Sequence, residues 1–259
     1  MPSLRCHEIA ETDHRILNPF SEAKLDLLGE LCRWQPGRQL LDLACGKGEM
    51  LSRWALRYGI EGVGVDISTV FLDAARERAA ELGVAERVRF VERDAAAYAA
   101  DATGFDVVSC LGATWIGNGI AGTIELMRAA VAGGGLLLVG EPYWIDEPPR
   151  EAPAAFGFGP DEFTSLAGTL DRITASGCEL IEMVLADGDS WDRYAAPQWR
   201  SLSDWLRAHP DDPEAGDFRA FLDESRRAHL AFGRRYLGWG VFVLRAADAA
   251  VAACSTVAR

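Results

Sequence analysis

Short apolar runs alternate with amphipathic stretches over the first half of the chain. Five runs have the length and pattern of buried strands, and most are separated by stretches with apolar residues at helical spacing. The predicted strands span residues 38–44, 61–66, 87–92, 105–111 and 136–140, and the predicted helices span residues 49–58, 68–82 and 121–131. This alternation is typical of a mostly parallel α/β sheet with helices on both faces.

The pattern changes on both sides of this region. Apolar residues at helical spacing predict one helix before the first strand, and a stretch rich in Pro, Gly and Ala predicts a loop after the fifth. Aromatic residues are frequent between the last two apolar runs, where we predict helices inserted as a lid. These elements are a helix at 21–34, a loop at 148–160, a helix at 161–176 and strands at 179–186 and 240–245.

The same pattern suggests how the chain is divided. We predict an N-terminal helical cap segment over residues 1–35 and one main domain over residues 36–247. The helical lid falls at about residues 187–237 of that domain. Residues 248–259 form a tail without a clear pattern.

Composition narrows the class of protein. The chain has 259 residues, of which 49% are hydrophobic and 25% charged, as in an ordinary globular protein. Its formal net charge of −13 argues against general binding to nucleic acid or to an anionic membrane surface. We therefore expect a small-molecule ligand, with no nucleic-acid or membrane partner.

The cysteines and the N-terminus indicate the compartment. The six cysteines are scattered without a C-x-x-C pair, and the four histidines are dispersed, so we expect no metal site. The N-terminus is charged and lacks an apolar signal region, and no apolar stretch reaches the ~20 residues of a membrane helix. A cytoplasmic location is the expectation.

The sharpest local feature is a glycine turn between the first predicted strand and the following helix, in the sequence LDLACGKG. Gly46 and Gly48 permit positive φ angles and a close approach of backbone to a ligand. Asp66 ends the second strand and could accept hydrogen bonds from ribose hydroxyls. A dinucleotide fingerprint needs a third glycine where Leu51 stands, so that fingerprint is incomplete. An acid after the second strand occurs in sites for NAD and for S-adenosylmethionine (SAM), so these residues leave both cofactors open.

Five motifs in order resemble those of the class I SAM-dependent methyltransferases. They are LLDLACGKG, VGVDIS, RVRFVERDA, FDVVSCLGA and GGGLLLVGEP. The resemblance implies a seven-stranded sheet whose last strand is antiparallel, with the lid inserted between the final two strands. Longer words such as GATWI, GEPYW and GWGVF resemble an uncharacterised group of bacterial small-molecule methyltransferase-like proteins over nearly the whole chain.

The resemblance also implies roles around the glycine turn. Asp42 matches the acid that orients the methionine amino group of SAM. Gly46 and Gly48 match the loop beneath the cofactor, and Asp66 matches the acid that binds the ribose hydroxyls.

Further cofactor contacts are implied at the ends of the second, third and fourth strands. Ile67 matches the apolar residue against the adenine. Asp94 matches the residue that binds the adenine amino group, with Ala95 beside it. Cys110 and Leu111 match the strand end beside the methionine moiety.

The acceptor site has weaker signals. Glu141 follows the fifth strand and could serve as a base or orient a substrate, and His14 could do the same from the N-terminal segment. Aromatic residues after the strands and in the lid could form the walls of an acceptor pocket. These are Trp115, Tyr143, Trp144, Trp191 and Tyr194.

Methyl transfer from SAM to a small-molecule acceptor, by in-line displacement, is the leading functional hypothesis. Two alternatives remain at this level. One is a nicotinamide-dependent oxidoreductase on a similar fold, against which the missing third glycine counts. The other is a non-catalytic SAM-binding protein whose lid serves as a partner surface.

Overall fold

Seven strands form a single sheet in residues 3–246, the part of the chain that this computed structural model describes. Their order is β3-β2-β1-β4-β5-β7-β6, and β7 runs antiparallel to both of its neighbours. The strands are β1 (Gln39–Leu43), β2 (Glu61–Asp66), β3 (Val88–Glu92), β4 (Phe105–Leu111), β5 (Val131–Trp144), β6 (Cys178–Leu185) and β7 (Leu237–Ala246). The predicted fold class is confirmed, including the antiparallel last strand.

Helices pack on both faces of this sheet and extend beyond its carboxyl edge. They are α1 (Leu4–Ala10), α2 (Glu22–Leu31), α3 (Glu49–Tyr58), α4 (Thr69–Glu81), α5 (Ala95–Asp101), α6 (Ile120–Ala130), α7 (Ala152–Ala155), α8 (Leu166–Ala175), α9 (Gly188–Ala208), α10 (Ala215–Ala228) and α11 (Arg234–Tyr236). A 3₁₀ turn at Thr114–Gly117 follows β4, and a π turn at His229–Gly233 follows α10. None of the helices in this part of the chain is long and apolar enough to cross a bilayer.

Two apolar layers hold the helices to the sheet. In β1, Leu41 and Leu43 face the layer under α5, α6 and α8, while Leu40 faces the layer under α2, α3 and α4. Adjacent strand residues point to opposite faces, so a strand covered on both sides reads as a continuous apolar run. This arrangement places the strand ends, with their loops, along one exposed edge.

The lid consists of α9, α10, the π turn and α11, which together lie between β6 and β7. It shares a third apolar cluster with α1, in which Cys6 and Ala10 pack against Leu202, Leu206 and Phe218. The N-terminal helix is therefore docked on the lid. The division into cap, main domain and tail remains a prediction, and residues 248–259 lie outside the described residues.

Several element boundaries differ from the predictions for local reasons. The helix predicted at 161–176 begins only at Leu166, because the Ser165 hydroxyl accepts a hydrogen bond from the Gly168 amide at 3.2 Å and caps it there. Neither α1 nor α5 was expected. The last strand is longer than predicted because β5 and β7 pair from Leu136 with Arg245 to Trp144 with Leu237.

Candidate functional site

A cavity of about 600 Å³ opens at the carboxyl edge of the parallel strands. Ligands of open α/β sheets bind at this edge, where the strand order reverses on either side of β1. The walls come from the ends of β1 to β4 with the loops that follow them, from Pro142 in β5, from the start of β7, and from α1, α3 and α9. Residues 15–20 of the N-terminal segment cover it, and we call this segment the strap.

The glycine turn lies at the end of β1 and uses its two glycines differently. Gly46 has a φ of +53° and lines the cavity, and a side chain there would collide with Leu17 of the strap. Gly48 has a φ of +63° and immediately precedes α3, but it does not line the cavity. The space beside it is filled by the Phe90 ring. Gly48 therefore shapes the turn rather than contacting a ligand.

Asp66 is held rigidly at the end of β2. One carboxylate oxygen accepts a hydrogen bond from the Gly46 amide and the other from the Ser68 amide, each at 2.9 Å. The side chain lines the cavity, and a carboxylate has about four lone-pair positions. Acceptor capacity for two ligand hydroxyls therefore remains after both backbone bonds are made.

Asp42 is a second buried acid at the base of the same cavity. Its side chain accepts a hydrogen bond from the Ser109 hydroxyl at 2.7 Å. Burial raises the pKa of Asp42 to about 7 from an ordinary 3.8, although the Ser109 bond lowers it, and the nearby Asp66 charge raises it further. A cationic group bound beside this carboxyl would favour its ionised form.

The remaining predicted cofactor residues differ in whether they reach the cavity. Ile67, Asp94, Ala95 and Leu111 line the cavity, and Asp94 also caps α5 by accepting the Ala97 amide at 2.8 Å. Cys110 does not line it.

Cys110 is fully buried in the layer under α5 and α6. Its neighbour Leu111, at the end of β4, lines the cavity instead.

Three of the five predicted acceptor-site aromatics line the cavity, namely Trp115, Trp191 and Tyr194. Tyr143 and Trp144 do not. Tyr143 packs over Gly238 of the neighbouring strand, and the Trp144 ring lies edge-on to Phe158.

Glu141 is turned away from the cavity as well. Side chains alternate along β5, so Glu141 shares a face with Val139 and Tyr143 in the apolar layer, while Pro142 lines the cavity. The prediction that Glu141 acts on an acceptor is therefore not supported by its position. Its carboxyl is almost fully buried, and that burial raises its pKa to about 7, although Thr114 and Arg172 lower it.

The burial of the Glu141 carboxyl leads us to predict that the stability of the protein depends on pH. The folded-state pKa of Glu141 lies above its unfolded value, so the buried carboxylate costs stability as the pH rises from about 4.5 past 7. We expect Glu141→Gln to be more stable than the wild type by roughly 3 kcal/mol at pH 8, with the difference vanishing near pH 4. Urea unfolding at both pH values measures this, and an equal difference at both would contradict it.

His14 also lies outside the cavity lining. Its Nδ1 is 3.0 Å from a carboxylate oxygen of Glu11, and its Nε2 is 3.4 Å from the Arg193 carbonyl oxygen. Both neighbours are hydrogen-bond acceptors, and the contact with Glu11 raises the pKa of His14 against the effect of burial. An imidazole placed in this way has no lone pair directed at a substrate, so the position does not support His14 as a base.

Several cavity residues were missed in the sequence. Asn18 and Phe20 belong to the strap, and Trp239 is the third residue of β7, within the sequence GWGVF. The aromatic motif GWGVF at the start of the last strand could have identified Trp239. Nothing local marks Asn18, whose amide donates to the Leu111 carbonyl at 3.3 Å across the cavity.

Comparisons with known proteins agree with this geometry. Residues 40–135 match a family model described as a methyltransferase domain. YjhP of Escherichia coli (strain K12), an uncharacterised protein, is 44% identical over 93% of this chain and 97% of its own length. A SAM-dependent methyltransferase from Geobacter sulfurreducens, solved in complex with S-adenosyl-L-homocysteine (SAH), is 44% identical with a TM-score of 0.89. That likeness covers 95% of this chain and 98% of the other.

The chain belongs to the SAM-dependent methyltransferases. A second member of the family, from Thiobacillus denitrificans and also solved with SAH, is 42% identical with a TM-score of 0.88 over 95% of this chain and 99% of its own. The predicted family, enzyme class and cofactor are confirmed. The two alternatives, a nicotinamide-dependent oxidoreductase and a non-catalytic SAM-binding protein, are not supported.

Proposed function

We propose that this methyltransferase binds SAM against the ends of β1, β2 and β3 and methylates a neutral, largely apolar small molecule beside it. The observation that supports this is the separation of charge within the cavity. The acids Asp42, Asp66 and Asp94 stand at the ends of those three strands. Toward β4, β5, β7 and the lid the lining is mostly apolar, with the Asn18 amide as a polar group, and it includes Phe20, Trp115, Pro142, Trp191, Tyr194 and Trp239.

The residues present fit the proposed cofactor. Asp66 retains lone pairs for the ribose hydroxyls, and Ile67 and Ala95 offer an apolar surface for a flat base. Asp42 is a buried acid suited to a cationic amino group. SAM supplies, when bound, a methyl group already activated by a positively charged sulfur.

The chain contributes alignment and exclusion of water. Methyl transfer needs the nucleophile, the methyl carbon and the sulfur in line, and a closed apolar pocket favours this. Because Glu141 and His14 point elsewhere, we propose that the acceptor's nucleophilic group loses any proton to solvent before the pocket closes and then attacks the methyl carbon, with SAH as the leaving group. A cationic acceptor would need a carboxylate at the aromatic end, and none of the described residues lining that end supplies one.

An acceptor screen tests this proposal. Purified enzyme with methyl-labelled SAM is offered neutral phenols and related ring compounds, alkyl amines and carboxylic acids. We expect label transfer to neutral ring compounds and little to the charged ones. Turnover confined to amines would overturn the proposed acceptor class.

Trp191 provides the matching variant. Trp191→Leu should raise the KM for the acceptor at least about 10-fold while leaving SAH affinity within about 2-fold, because the loss is confined to the acceptor end. Trp205 of the same helix stacks on His209 and does not line the cavity, so Trp205→Leu is the control. If the KM for the acceptor rose equally in both variants, Trp191 would not be part of the acceptor site.

We also propose a cytoplasmic location and no nucleic-acid partner. Cys6, Cys32, Cys45, Cys110 and Cys178 are free thiols, which suits a reducing compartment. The net charge of −13 supports a small-molecule acceptor over a polyanion.

A further inference from the structure

Lys47 stands at the centre of the glycine turn and reaches across to the N-terminal segment. Its ammonium donates to the carbonyl oxygens of Glu11 at 2.7 Å, Thr12 at 2.9 Å and His14 at 2.8 Å. An ammonium has three N–H groups, and all three are used on this one stretch of chain. The carbonyls just beyond the end of α1 are thereby satisfied by the glycine turn.

The stretch held by Lys47 leads directly into the strap. Residues 15–20 all line the cavity. Leu17 lies over Gly46, since a Cβ built on that glycine would come within 2.6 Å of the Leu17 Cδ1 atom. At the far side, Asn18 binds the end of β4. The strap therefore spans from the turn after β1 to the end of β4, over the proposed methyl-transfer region.

The other side of the N-terminal segment is held by the lid. Glu11 is fully buried, and one of its carboxylate oxygens accepts from the Tyr194 hydroxyl at 2.7 Å and from the Gln198 amide at 2.8 Å. The cap thus has polar contacts to the lid on one side and to the cofactor loop, through Lys47, on the other. The hydrogen bond from the Ser68 hydroxyl to Glu8, at 2.6 Å, is a second contact with the cofactor loops.

We propose that Lys47 is a positioning residue that clasps the strap over the cavity and so controls the rate at which the cofactor product leaves. The inference rests on the proposed cofactor site. Lys47 links the loop that would lie under the cofactor to the segment that covers it. Release of a ligand from beneath the strap requires the three carbonyl bonds to break.

Dissociation of SAH measures this directly. Lys47→Met keeps most of the side-chain volume and removes all three donors, so we expect the dissociation rate of SAH to rise at least about 10-fold. Stopped-flow tryptophan fluorescence reports it, because Trp115 and Trp191 line the cavity. Lys47→Arg retains the charge and several donors but not the geometry of the ammonium, so its rate should fall between those of the wild type and Lys47→Met.

Lys24 is a control for the loss of an ammonium that binds backbone carbonyls, although Lys47 also lines the cavity itself. The Lys24 ammonium binds the backbone carbonyl of Leu185 and pairs with Asp187 at 3.3 Å, but Lys24 does not line the cavity. Lys24→Met should leave SAH dissociation unchanged. A wild-type dissociation rate in Lys47→Met, or the same acceleration in Lys24→Met, would overturn the proposal.

A second measurement separates the clasp from the cofactor site. Trypsin needs a locally unfolded backbone, so cleavage after Arg15, whose side chain is about half exposed, reports opening of the strap. In the ligand-free protein, Lys47→Met should be cut there several-fold faster than the wild type, at a temperature where melting shows both to be folded. Unchanged cleavage would reject the clasp even if SAH binds. Faster cleavage without any SAH binding to the wild type would instead reject the proposed cofactor site.

Discussion

Asp66→Asn should weaken SAH binding by at least about 100-fold. The wild-type carboxylate is oriented by the Gly46 and Ser68 amides and would offer charged acceptors to two ribose hydroxyls. Hydrogen bonds to charged groups contribute about 1.5–3 kcal/mol each, so losing the charge at both hydroxyls reaches this range. The carboxamide also places an NH₂ group against one of the backbone amides. Calorimetric titration with SAH measures the change.

Asp73→Asn is the control for charge alone. Asp73 is exposed on α4 and pairs with Arg76, away from the cavity. Its variant should bind SAH as the wild type does. Thermal melts of both variants distinguish weakened binding from unfolding. If Asp66→Asn binds SAH with wild-type affinity while folded, Asp66 does not hold the ribose.

Gly48→Ala should destabilise the protein by about 2–5 kcal/mol. The φ of +63° is strained for an L-residue, at a cost of about 1–2 kcal/mol. A Cβ there would also lie 2.6 Å from the Phe90 ring and 2.9 Å from the Ala75 Cβ, and such overpacking costs about 1–3 kcal/mol. We expect a fall in Tm of about 10 °C.

Gly83 separates the two causes. It has a φ of +68° after α4, and nothing lies within 4 Å of the position a Cβ would take. Gly83→Ala should therefore show the backbone strain alone, with a Tm lower by about 3 °C. Equal shifts in the two variants would mean that the contact of Gly48 with Phe90 and Ala75 has no cost.

Much of the fold could be predicted because its signals are local. A buried strand is a short apolar run, and a helix start or end is marked by a serine or a glycine within a few residues. Such signals place Asp42 in β1 and Asp66 at the end of β2. Since parallel strands end at one edge, their convergence on a cavity follows from the element order.

Helix boundaries were missed where the deciding contact was a single capping side chain. The Ser165 cap makes α8 begin at Leu166, five residues beyond the predicted start at Asp161, and the Asp94 cap supports the unexpected α5. A capping serine or aspartate is common in loops as well, so the residue alone does not determine where a helix begins.

The sequence by itself determined which functional groups follow which strands along the chain. A glycine turn comes first, acids follow at the ends of successive strands, and aromatic motifs come last. The tertiary structure decided which side chains face the cavity. In β5, the run LLLVGEPYW is apolar on both sides, so no alternation shows that Pro142 faces the cavity and Glu141 the core. The contacts of Lys47 with Glu11, and of Glu11 with Tyr194, join residues 36 and 183 positions apart. Such partners are brought together by packing of the cap on the lid, which no local pattern encodes.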